Sequence, residues 1–192
     1  MKLRSSSVRE PTSRLERLAI VLASLTLSIG VIALSSGFFA SRDSANISGA
    51  RAQPGQGFPD QGHAPLRPGQ LRPVYNSDPP TSGPHIAEPV LLDNTELNND
   101  QLLQALELGN VVIMYGQAVP PPALTAMVRS LAAPFTPALV RAGQAVILAR
   151  RARTSGWIGL AWRRMVRVQT ANDPRLHEFV QFWLGGGAAG GQ

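Results

Sequence analysis

Four side chains raise the question of chemistry. Asp78, Ser82 and His85 fall within the turn-rich stretch YNSDPPTSGPH, Tyr75–His85, and Glu107 follows in the next apolar segment. Aspartate, serine and histidine together supply the types needed for an orienter, a nucleophile and a base. Catalytic triads, however, are assembled from segments distant in sequence. The same three residues also read as two turn caps, Asp78 and Ser82, beside a histidine that packs or bonds locally. A centre of His85, Glu107 and Asp78 is a second option, because imidazole and carboxylates bind zinc or manganese. Spacing alone assigns none of them as catalytic or as a metal ligand. Glu107 stands near the end of an expected helix, where a carboxylate opposes the helix dipole. It is either solvated there or paired with one of the arginines. His63, in the Pro/Gly-rich stretch, and His177, on the polar side of the last expected helix, read as surface residues.

Arg150, Arg151, Arg153, Arg163, Arg164 and Arg167 lie within 18 residues that contain no acid. If the two flanking segments pair as a hairpin, all six lie near one another. Such a patch suits anionic lipid headgroups, a phosphate-bearing ligand or an acidic partner. The alternative is a solvated face balanced by acids elsewhere. No phosphate-cradling glycine loop is present, since the C-terminal glycines precede no helix, and no cofactor is implied.

The net charge of +6 does not describe the whole chain evenly. Residues 1–17 carry five cations against two acids, and residues 74–192 carry nine arginines against eight acids. The basic balance therefore sits mainly ahead of the folded part, and no nucleic-acid partner is expected. The chain has no cysteine, which excludes disulfides, thiolate nucleophiles and zinc ribbons.

These residues need elements to position them. Leu18–Ala40, LAIVLASLTLSIGVIALSSGFFA, contains no charged residue. As a helix it would be about 35 Å long, enough to cross a bilayer. The basic tail 1–17 ahead of it predicts a cytoplasmic N-terminus and a domain sent outside, in the manner of a single-pass signal-anchor at the cytoplasmic (inner) membrane. A cleaved signal peptide is the competing reading, and Phe38 and Phe39 stand where cleavage prefers small residues. Residues 41–73, with five prolines and five glycines, read as a linker with an r.m.s. span of about 30 Å.

The folded domain is expected over residues 74–184, followed by a flexible glycine-rich tail, 185–192. Asn98 and Gln101 form a capping-box pair opening a short helix with Leu102, Leu103 and Leu106 on its apolar face, closed by Gly109. VVIMY, Val111–Tyr115, and AVILA, Ala145–Ala149, read as buried strands. Pro120–Pro122 leads into a helix over Ala123–Leu131. Trp157–Val168 alternates as one half-exposed strand, with Arg164 out of pattern. Asp173 and Pro174 start a last helix with Leu176, Phe179, Val180 and Trp183 on one face. The expected class is α+β: one N-terminal transmembrane helix, then a small domain with a short β-sheet packed by about three helices.

The order of motifs resembles the bacterial domain of unknown function 3105. Tyr75–His85 resembles its signature, Leu106–Ile113 its helix-to-strand segment, and Ala161-Trp162 with a following Arg its tryptophan motif. The Phe/Trp-bearing last helix resembles its end, and a membrane anchor ahead of the domain is usual in that family. The resemblance also implies two histidines flanking the Leu-Glu pair, at positions that are Gln104 and Leu108 in this chain. If those histidines join His85 in a metal or proton-transfer site, this member keeps one of three. The expected function is a non-catalytic interaction or accessory subunit of a membrane or envelope complex. The alternatives are a metal-dependent or hydrolytic envelope enzyme centred on His85, and an anionic-lipid-binding domain using the arginine face. The bilayer and a membrane or envelope protein are the expected partners.

Overall fold

The computed structural model describes residues 53–188. The tail 1–17, the apolar run 18–40, the first part of the expected linker (41–52) and residues 189–192 lie outside the described residues. Among the described residues no helix is long and apolar enough to cross a membrane.

The described chain is a small α+β domain with a mixed sheet of six strands in the order β1-β6-β5-β3-β4-β2. These are β1 (Gln56–Gly57), β2 (Thr95–Glu96), β3 (Val111–Tyr115), β4 (Val146–Arg150), β5 (Trp157–Ala161) and β6 (Arg164–Val168). The helices are α1 (Asn99–Leu108), α2 (Pro122–Leu131), α3 (Pro137–Arg141) and α4 (Pro174–Trp183). β4 runs parallel to β3 and β2, whereas β3–β5, β5–β6 and β1–β6 are antiparallel. The two edges are strands of two residues each, which leaves little free ladder for another chain to extend.

β3 explains the architecture. All five of its residues are buried, so both sheet faces must be covered. Val112 and Met114 share a cluster with Leu102, Leu103 and Leu106 of α1. Val111, Ile113 and Tyr115 share the other with Leu124 and Met127 of α2 and Leu176, Phe179, Val180 and Trp183 of α4. Each fully buried leucine of these stripes contributes about 1.5–3 kcal/mol. The expected apolar faces of α1 and α4 are the ones buried, and α2 buries Leu124 and Met127.

Asn110 joins three of these elements. Its buried amide donates to the carbonyls of Ala105 at 3.0 Å and Val140 at 2.9 Å and accepts from the Ala145 N–H at 2.9 Å. The end of α1, the end of α3 and the start of β4 are thereby held together without any of these backbone groups going unpaired.

Four expectations need correction. Trp157–Val168 is a hairpin, β5 and β6, rather than one strand. It turns at Trp162-Arg163 with Arg163 at φ 62°, and the turn accounts for Arg164 falling out of the alternation. Four helices are described instead of three, the extra one being α3, capped by the Thr136 hydroxyl. From Gln53 the expected linker packs on the domain: Gln56 and Gly57 pair with Met165 and Arg164, and the Pro54 carbonyl accepts from Trp183 Nε1 at 2.9 Å. Glycine is required there, because a Cβ on Gly55 would sit 2.7 Å from the Phe179 ring. The same Pro/Gly content that removes periodicity permits this close pairing. Lastly, Gly185–Ala188 is bonded to the end of α1, with Gly185 N–H donating to the Gly109 carbonyl at 2.9 Å and Ala188 N–H to the Glu107 carbonyl at 3.0 Å.

Asn110→Ala is expected to lower stability by about 1–3 kcal/mol, since the buried Ala145 N–H loses its acceptor while the Ala105 and Val140 carbonyls keep their backbone donors. Urea unfolding of the full-length protein checks this; a loss below about 0.5 kcal/mol would contradict the joining role.

Candidate functional site

The site forms where the Tyr75–His85 segment meets α1. This segment has three prolines and no regular structure, so its polar groups need partners from elsewhere. α1 supplies them. The capping box of Asn98 and Gln101 fixes its start and Gly109, at φ 107°, its end. Between these, Asp100 and Glu107 stand seven residues apart, two helical turns, and so share one face.

Asp100 is buried. Its Oδ1 accepts from the Ile86 N–H at 3.1 Å and its other oxygen is paired with Arg72. That bond holds the Arg72 guanidinium proton more firmly than usual. Burial, reinforced by the Asp100 charge and opposed by Arg72, pushes the Tyr75 phenol up. Tyr75 is thus a fixed donor to the Pro84 carbonyl, at 2.9 Å, and not a base.

Two turns along, Glu107 Oε2 lies 3.1 Å from His85 Nε2. His85 is 2 % exposed, and its Nδ1 lies 2.9 Å from the Gly83 carbonyl. A carbonyl only accepts, so Nδ1 carries hydrogen. For the Nε2–Oε2 contact to be a hydrogen bond as well, the pair must share a second proton between imidazole and carboxylate. Both ring nitrogens are occupied by the chain itself. The Trp162 ring lies 6.5 Å from His85 and 6.3 Å from His63, centroid to centroid. The partner of Glu107 is therefore this histidine and not an arginine. His63 is exposed, as expected, but sits beside Trp162.

The other candidates are not gathered around His85. Ser82 is fully buried, and its hydroxyl accepts from the Gln61 N–H at 3.1 Å and lies 3.5 Å from the Pro59 carbonyl. The Asp78 side chain is 85 % exposed and accepts from Arg151 at 2.6 Å. Each of the three residues binds a different partner. Among the described residues no group of three His, Cys, Asp or Glu side chains could hold a metal ion.

The six arginines do not form one patch. β3 lies between β4 and β5, and the hairpin carries Arg163 and Arg164 to the opposite end of the sheet from Arg150, Arg151 and Arg167. Four residues of strand separate the ends by about 13 Å. Arg150 pairs with Glu96 at 2.5 Å, Arg151 with Asp78, and Arg163 lies 4.0 Å from Asp60. Arg164 bonds the Gln53 amide and stacks on Trp183 at 5.2 Å; burial, then the Arg163 charge, pushes its guanidinium down. Arg167 donates to the Asp78 carbonyl at 2.6 Å.

Sequence reasoning missed Asp100 and Arg72. Arg72 stood in the expected linker, and Asp100 read as part of a helix start. The available signal was the seven-residue spacing of the two α1 carboxylates on one face. Asp100→Ala should cost about 2–4 kcal/mol of stability, because the Ile86 N–H and Arg72 both lose their acceptor, and Asp100→Asn less than half of that. Equal losses for the two variants in urea unfolding would contradict this.

Comparison with curated proteins gives no match, and comparison with solved structures gives none. The model of the family described as protein of unknown function (DUF3105) matches residues 71–189, which include the whole site except His63 and its neighbours. The match covers more than half of the chain, and the protein belongs to this family.

Proposed function

We propose that this protein is a single-pass membrane-anchored, extracytoplasmic domain that serves as a non-catalytic interaction or accessory subunit of a membrane or envelope complex. The observation that carries the reading is the engagement of His85. Its two nitrogens bind Gly83 and Glu107, leaving no lone pair or proton directed at a substrate. Gln104, three residues before Glu107, shares its side of α1, and Leu108 stands four residues after Gln104, next to it on the helix surface. These are the positions at which the family resemblance implies histidines. Leucine neither ligates a metal nor moves a proton, and glutamine is a poor substitute for imidazole in both roles. The pair that remains is suited to holding the turn segment in place.

The anchoring part rests on the charge-free run Leu18–Ala40 behind a basic tail, with five cations in residues 1–17. The cytoplasmic (inner) membrane is the proposed location, with the domain on its outer side.

Affinity purification of the tagged full-length protein from gently solubilised membranes tests the reading. A stoichiometric protein partner that survives salt washing is expected, and deletion of residues 18–40 is expected to release the protein from membranes. A partnerless protein carrying about one equivalent of zinc or manganese that is lost in His85→Ala would contradict it.

A further inference from the structure

We infer that the cleft between the β4–β5 loop and the end of β6 is an oxyanion site that takes a phosphate group. The cleft has a volume of about 420 Å³, and its lining includes Asp78, Arg151, Arg153, Thr154, Ser155 and Arg167. Three guanidinium groups face one carboxylate, so the lining keeps an excess of positive charge.

Two of the arginines are positioned in advance. Asp78 Oδ1 accepts from Arg151 Nη2 at 2.6 Å, and the Asp78 carbonyl accepts from Arg167 Nη2 at 2.6 Å. Each guanidinium has five N–H donors, so most remain for a ligand. Arg153 has no ion pair among the described residues.

The loop that presents them is built into the sheet. Arg151 N–H donates to the Tyr115 carbonyl at 2.8 Å and Thr154 N–H to the Arg151 carbonyl at 3.2 Å. A Cβ on Gly116 would stand 2.1 Å from the Thr154 carbonyl, and one on Gly156 2.2 Å from the Val168 carbonyl. Only glycine permits the loop to approach both strands this closely. Arg153 holds φ 66°, a conformation that long side chains rarely adopt.

The donor set selects the ligand class. Guanidinium groups bind phosphate through parallel N–H···O pairs, and the Thr154 and Ser155 hydroxyls add neutral donors. A tetrahedral anion with several acceptors uses this set more fully than a planar carboxylate with two oxygens. A lipid headgroup phosphodiester and a free phosphomonoester share this chemistry. Neither His85 nor Glu107 lines the cleft, so failure of the accessory reading leaves it standing.

Calorimetric titration of the full-length protein in a neutral detergent tests it, with inorganic phosphate, glycerophosphoglycerol (the free headgroup of an anionic lipid) and acetate as probes. Saturable binding of phosphate or of the headgroup is expected, with acetate at least about tenfold weaker. Whichever of the first two binds more tightly identifies the source. Arg153→Gln and Arg167→Gln should each weaken binding about tenfold, while Arg163→Gln, at the other end of the sheet, leaves it unchanged. Arg153→Gln removes no bond within the fold, so its effect is readable even if Arg167→Gln unfolds. No saturable binding of either phosphate probe, equal affinity for acetate, or unchanged binding in Arg153→Gln would overturn the proposal.

Discussion

The contact between His85 and Glu107 ties the turn segment to the end of α1. On one side is a proline-rich segment whose backbone pairs with residues 62–66; on the other is the last turn of α1. With Asp100 binding the Ile86 N–H and Arg72 two turns earlier, the helix presents a pair of carboxylates as a clamp. The segment beyond the clamp then lies along the β5–β6 hairpin, where the Thr81 carbonyl accepts from the Arg163 N–H at 2.9 Å and Asp78 meets Arg167 and Arg151. The position of Asp78, and through it of the arginine cleft, depends on where the clamp sets the turn segment.

The clamp depends in turn on how α1 ends. Its carbonyls are oriented by the left-handed Gly109, by Asn110 beneath, and by the Ala188 N–H that donates to the Glu107 carbonyl. A Cβ on Gly187 would stand 2.4 Å from that carbonyl, so the glycine run is what lets the chain end seat there. A carboxylate at a helix C-terminus is unfavourable against the dipole by a few tenths of a kcal/mol, up to about 1. The contact with His85 Nε2 at 3.1 Å offsets this.

Local signals made much of the fold legible. The capping box, the PPP helix start, the two apolar strands and the Asp-Pro start of α4 are each fixed by residues adjacent in sequence, and the described elements match them within a residue or two. What sequence could not provide was pairing. Nothing in QG says that Gln56–Gly57 will lie beside Met165, and nothing in the Trp162-Arg163 dipeptide advertises a two-residue turn, since it lacks the usual Asn-Gly. The arginine cluster failed for the same reason: eighteen residues that are compact in sequence are split between the ends of a sheet once the β5–β6 hairpin carries Arg163 and Arg164 away from Arg150, Arg151 and Arg167. At the site, residue types were readable and partners were not. Glu107 looked misplaced, which was a true signal, but its partner came from a segment that only the tertiary fold brings near.

The central claim is that His85 and Glu107 act on each other to hold the fold. A double-mutant cycle of His85→Ala and Glu107→Ala, read by urea unfolding of the full-length protein, tests this most directly. A coupling energy of about 1–3 kcal/mol is expected, with the double variant little worse than either single one. Additive losses, or a His85→Ala variant as stable as the parent, would contradict it and return His85 to the list of residues kept for chemistry.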